Sequence, residues 1–84
     1  MVSKHRTYKP GDLVFIRQSR TPLRDLNYFD SDSDPARISN IRLHLYTNAI
    51  VLNTRSRPVG YNGYRILLVL TAVGIGWVFD SEVI

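Results

Sequence analysis

The 84-residue sequence has no cysteine and only two histidines, one methionine and one tryptophan. The first absence excludes disulfides and thiolate zinc sites, and it fits a reducing, cytoplasmic setting. Histidine is scarce, and no Gly-x-Ser-x-Gly or His-Glu-x-x-His pattern occurs. No enzyme activity, metal site or cofactor is therefore expected. Long hydrophobic runs are missing as well. The longest, Ile66 to Phe79, is interrupted by Thr71, Gly74 and Gly76 and falls short of the roughly 20 residues of a membrane helix, so it reads as a buried hairpin. The basic start, Met1 to Arg6, leads into no apolar stretch, and no secretory signal is expected. With five Gly and four Pro in all, disorder along the whole chain is not expected either.

What is present describes a small globule. Hydrophobic residues make up 44% and aromatics 11%, which suits one domain over residues 1–84 whose modest core predicts marginal stability or oligomerisation. Eleven Lys and Arg against seven Asp and Glu leave a net charge of +4. All the cations except Lys4 and Lys9 are Arg, the better side chain for bidentate contacts. Residues 30–36 hold Asp30, Asp32 and Asp34 without a cation, so two basic regions flank an acidic loop.

Lys9-Pro10-Gly11-Asp12 is turn chemistry, and Leu13 to Arg17 reads as a first strand. No strand pattern is visible from Gln18 to Asn40, and a segment this long should hold local structure or function. Thr21-Pro22 resembles a helix N-cap followed by Pro at the first helical position, with Leu23 and Leu26 on one side. Asp34-Pro35 repeats the signal. Ile41, Leu43 and Leu45 alternate with Arg42, His44 and Tyr46, which predicts a strand in preference to a helix. Thr47-Asn48 reads as a bend, Ala49 to Leu52 as a strand, and residues 55–63, with Asn62-Gly63, as a loop. Tyr64 to Thr71 and Gly76 to Phe79 complete the hairpin, and the tail through Val83 and Ile84 is expected to close the sheet.

This order of elements predicts a mainly β fold, a small barrel of about five strands with a long insertion, residues 18–40, after the first strand. Lys9-Pro10-Gly11-Asp12-Leu13-Val14, Ala49-Ile50-Val51-Leu52, and Gly76-Trp77-Val78 followed by Glu82-Val83-Ile84 resemble the SH3-like barrel proteins of bacteriophages. That resemblance implies a phage accessory or virion-associated protein, located in a host cytoplasm or in a virion. The opening Gly-Asp-x-Val is shared with ribosomal and transcription-factor domains of the KOW type, but their Gly and basic residues after the first strand are missing. The acidic loop lies beside Tyr28 and Phe29, as in peptide-binding SH3 domains, without the matching aromatic dipeptide.

Candidate sites follow from residue type and position. Asp30-Ser31-Asp32-Ser33-Asp34 copies the first ligands of an EF-hand loop, then fails at Pro35 and Ile41 where Gly and Glu are required. A solvated acidic loop accounts for it. His5 sits in the N-terminal segment and His44 on an outward strand face. Trp77 reads as packing with its N–H hydrogen-bonded. The turn after Leu70 is apolar where turns are usually polar: Ala72, Val73 and Ile75 predict a partner-binding tip, rimmed by Arg55, Arg57 and Tyr61. Ile66 to Leu70 is apolar on both faces, which calls for cover on two sides. Arg42, Arg55, Arg57, Tyr61, Tyr64 and Arg65 form the alternative, a nucleic-acid surface of cations and stacking rings. The leading expectation is thus a non-enzymatic adaptor or inhibitor docking on a larger protein, either a host protein or a virion subunit. A nucleic-acid-binding module and a structural subunit stable only as a homo-oligomer are the rivals. No membrane partner is expected.

Overall fold

Short runs of strand-forming residues, punctuated by turn residues, build the architecture. The computed structural model describes residues 7–26, 28, 38–56 and 65–84. Six strands, β1 (Leu13–Phe15), β2 (Thr21–Arg24), β3 (Ile38–Leu43), β4 (Asn48–Ser56), β5 (Arg65–Thr71) and β6 (Gly74–Phe79), are followed by a 3-10 turn, Asp80–Glu82. They form one antiparallel sheet in the order β1-β4-β5-β6-β2-β3. The mainly β class agrees with the sequence reading, as does a strand over Ile41 and Leu43 in place of a helix. The turn before β4 falls earlier than Thr47-Asn48. The Thr47 N–H donates to the His44 carbonyl at 3.0 Å, and Tyr46 takes a left-handed φ of 66°.

Opposed residues on the inner face fill the core: Val14 with Ala49, Val51 with Val69, and Leu67 with Val78. Leu23 of β2 and Leu43 of β3 belong to the same buried cluster. They come from the far end of the strand order from β1, so the sheet curls until its inner face meets itself.

The sheet is nevertheless open, unlike the barrel expected from the strand pattern. The outer edge of β1 is already occupied by the C-terminal segment. Ile16 bridges to Val83, the Arg17 N–H donates to the Glu82 carbonyl at 2.7 Å, and the Ile84 N–H donates to the Phe15 carbonyl at 2.8 Å. The tail thus covers an edge without closing the sheet as expected, and β1 and β3 do not pair.

The segment 18–40 also differs from expectation. Thr21 and Pro22 open β2 instead of capping a helix. Two needs outweigh the capping signal: Leu23 is buried in the core, and Arg24 must meet Trp77 of β6. The register shifts between Pro22 and Arg24, an irregularity suited to a residue with no N–H. The Thr21 hydroxyl donates to the Gln18 carbonyl at 2.8 Å. Asp34-Pro35 and the acidic loop lie outside the described residues.

Candidate functional site

Directly opposed residues in antiparallel strands share a face. On the face away from the core, the register links Leu13 to Ile50, Ile50 to Leu70, and Leu70 to Ile75. Four apolar side chains from β1, β4, β5 and β6 therefore stand in one row across the sheet. Further along, the same face carries Arg55 opposite Ile66 and Ile66 opposite Phe79, with Leu68 opposite Trp77 and Trp77 opposite Arg24. A bulge in β4 between Val51 and Asn53 makes this arrangement possible. It inserts one residue, so Arg55 and not Thr54 joins the outer face.

The outer face divides into two halves. One is covered. Ile66 and Trp77 are buried there although neither faces the main core. The Trp77 Nε1–H donates to the Leu26 carbonyl at 2.7 Å, which brings the turn after β2 over the ring. The Arg55 guanidinium lies 4.9 Å from the Trp77 ring centroid. Arg24 sits 4.4 Å from the Phe79 centroid and forms a two-pronged pair with Glu82, Nη1 to Oε1 at 2.9 Å and Nη2 to Oε2 at 3.3 Å.

The other half is bare. Leu13, Ile50, Leu70 and Ile75 are 59, 41, 41 and 47% exposed, and Phe15 and Leu52 beside them are exposed too. The residues two positions along each strand from the row are Gly11, Phe15, Asn48, Leu52, Leu68, Ala72, Val73 and Trp77. None is charged, in a chain that is 21% charged.

At the end of the row the β5–β6 turn projects Val73, 59% exposed, with Ala72 exposed beside it. The Thr71 hydroxyl holds this tip, donating to the Gly74 carbonyl at 2.9 Å and accepting from the Val73 N–H at 3.2 Å. Gly74 takes φ +151°, in the range that favours glycine. Thr71→Val preserves the shape and removes both bonds, so it is expected to cost about 1 kcal/mol in urea unfolding and to loosen amide protection at Val73.

The structure places the predicted residues unevenly. Ala72, Val73 and Ile75 come together as an exposed tip and row end. Arg55 lies at the far end of β4 from Ile50, over Trp77, so it packs against the covered half and does not rim the tip. Arg65 neighbours it one position along, opposite Ser56 and therefore on the other face. Arg42 lies on β3, which pairs with β2 and not with β4. Among the described members of the predicted cation surface, Arg42 is thus on a different strand pair from Arg55 and Arg65. Arg57, Tyr61 and Tyr64 lie outside the described residues. His44 is exposed. Among the described residues no group of His, Asp and Glu is gathered as metal ligands, and no helix is long and apolar enough to cross a membrane.

Sequence reading missed Leu13, Ile50 and Leu70 as site residues. The available signal was the loss of alternation in Leu13 to Ile16 and in Ala49 to Leu52. It is the same feature noted for Ile66 to Leu70, and the register aligns all three segments. Comparison with protein-family models, with curated proteins and with solved structures gives no match.

Proposed function

We propose that the chain is a non-enzymatic protein-docking module that binds by burying the bare half of its outer face against a protein surface. The row Leu13, Ile50, Leu70 and Ile75, with no charge in it or beside it, carries this reading. An antiparallel sheet that keeps one face in water normally carries polar residues there, and contiguous exposed apolar area marks an interaction site. Val73 adds an anchor on a tip whose shape is set before binding, which lowers the ordering cost of association. The mechanism is occupancy: apolar anchors set residence time, and polar groups around them set register. The resemblance of residues 9–14, 49–52 and 76–78 to SH3-like phage proteins agrees with a small accessory module of this kind.

Val73→Asp combined with Ile75→Asp tests the reading. Burying either carboxylate without a partner is costly, so association is expected to weaken by about a hundredfold or more, equivalent to at least about 2.7 kcal/mol. Far-UV circular dichroism should stay unchanged because both side chains already face water. Unaltered capture of protein partners together with an unaltered oligomeric state would refute the assignment.

A further inference from the structure

We propose that the occupant of the bare half-face is a second copy of this chain, packed sheet against sheet about a two-fold axis that runs along the strands above the gap between β4 and β5. This rests on the docking reading above and names its partner.

Self-complementarity is the first argument. A two-fold interface presents the same patch from both sides. In strand order the row reads Leu13, Ile50, Leu70, Ile75. The stated axis sets Leu13 against Ile75 of the second copy and Ile50 against its Leu70, then repeats both contacts in reverse. Each contact joins one Leu to one Ile, two side chains of equal volume, so both copies bring the same bulk to every contact of the row. Strands spaced about 4.8 Å apart make the row about 14 Å wide, and face-to-face sheets pack about 10 Å apart.

Charge points the same way. Each copy carries +4, so two copies repel wherever their cations are brought together. The bare half-face lacks charge in the row and at the flanking positions, so contact there leaves the cations at the rim or beyond it, where water and salt screen them.

Area is the third argument. Leu13, Phe15, Ile50, Leu52, Leu70, Val73 and Ile75 each leave between 38 and 59% of their surface in water, together on the order of 500 Å² of largely apolar area. A stable interface of standard size between separately folded partners buries about 800 Å² per partner, somewhat over half of it apolar. The two figures agree. An 84-residue chain also gains from a second buried layer, since one small core supplies only a few kcal/mol.

The experiment is sedimentation equilibrium of the full chain from micromolar to millimolar concentration, on the unmodified protein and on Leu70→Asp. Because the chain has no cysteine, treating an equimolar mixture of Leu13→Cys and Ile75→Cys single variants with a short thiol-to-thiol crosslinker reports the geometry directly, since sheets about 10 Å apart are too far for a disulfide and within reach of such a reagent. The expected result is a mass approaching twice 9.7 kDa, loss of the dimer by at least tenfold in dissociation constant for Leu70→Asp, and a crosslink in the mixture that neither single variant gives alone. Should Leu70→Asp fail to fold, Leu13→Asp at the most exposed row position gives the same readout. A monomer at every concentration would overturn the second copy as occupant, while the docking reading would still stand or fall on capture of other proteins by the Val73 and Ile75 variants. A dimer that survives Leu70→Asp would place the contact between copies elsewhere and overturn the second copy as occupant of this face, the docking reading again being decided by capture of other proteins. A dimer lost in Leu70→Asp without the mixed crosslink would overturn the stated axis.

Discussion

Arg24→Met is expected to lower the unfolding free energy by about 3 kcal/mol or more, because it leaves the Glu82 carboxylate buried without its counter-charge. The two side chains are about nine-tenths buried and separated by 2.9 Å. They join residues 58 apart in sequence, and the connection closes what the strands leave open. Glu82 belongs to the segment that pairs with the outer edge of β1, through its carbonyl to the Arg17 N–H, while Arg24 ends β2 on the other side of the sheet. The ion pair therefore ties β2 to the segment that lies on the outer edge of β1. Glu82 also holds the start of the 3-10 turn, since its Oε1 accepts from the Phe79 N–H at 2.7 Å. Glu82→Ala should cost more than Glu82→Gln by about 1 kcal/mol, since the amide oxygen of Gln can still accept that bond. For a domain whose total stability is on the order of 4 to 12 kcal/mol, the single substitutions consume a large fraction. Replacing both partners together, Arg24→Met with Glu82→Leu, should recover most of the loss, because no buried charge is then stranded. Urea midpoints of the single and double variants decide it. Additive losses, with no recovery in the double variant, would show that the pair contributes packing and not charge.

Gly76→Ala should be about as damaging, near 3 kcal/mol. A β-carbon at this position would lie 2.5 Å from the Arg24 carbonyl oxygen and 2.7 Å from Leu23 Cγ. The Leu23 contact can yield by a rotamer change, at the expense of the core. The carbonyl contact cannot yield without moving β2 off β6, where the Arg24–Trp77 pairing is the register contact between the two strands. Gly→Ala at an unobstructed site stabilises by about 0.4 to 1 kcal/mol through the unfolded chain, so the sign of the change reports on the clash alone. Combining it with Leu23→Ala should give no rescue, because the backbone oxygen remains. Hydrogen exchange should show β2 and β3 opening ahead of β4 and β5, since the strand order puts both outside the β6 edge. Uniform loss of protection across all strands would mean that the sheet unfolds as one unit and that β2 is not the weak seam.

Much of the local structure was legible in the residues. Turn chemistry at Lys9 to Asp12, alternation at Ile41 and Leu43, and the apolar hairpin from Ile66 to Phe79 each specify a strand or a turn within a few positions. So does the exposed tip, because a turn containing Val73 has no inward side to hide it. Thr21-Pro22 misleads for a physical reason: capping preferences amount to about 1 kcal/mol, and burying Leu23 while pairing Arg24 with Glu82 outweighs that. Arg42 and Arg55 are near one another in chain order but lie on strands that do not pair, because β3 and β4 part company at the crossover.

The chain by itself determined that this is a small β domain with more apolar strand surface than one core can bury, since the residues of Leu13 to Ile16, Ala49 to Leu52 and Ile66 to Leu70 do not alternate. Which of that surplus is covered was decided only by tertiary structure. Register across β1, β4, β5 and β6 depends on the β4 bulge and on long-range pairing, neither of which has a local signature. That register gathers Leu13, Ile50, Leu70 and Ile75 into one exposed row, and it puts Ile66 and Trp77 in the covered half, where Arg55 and the turn after β2 meet the Trp77 ring.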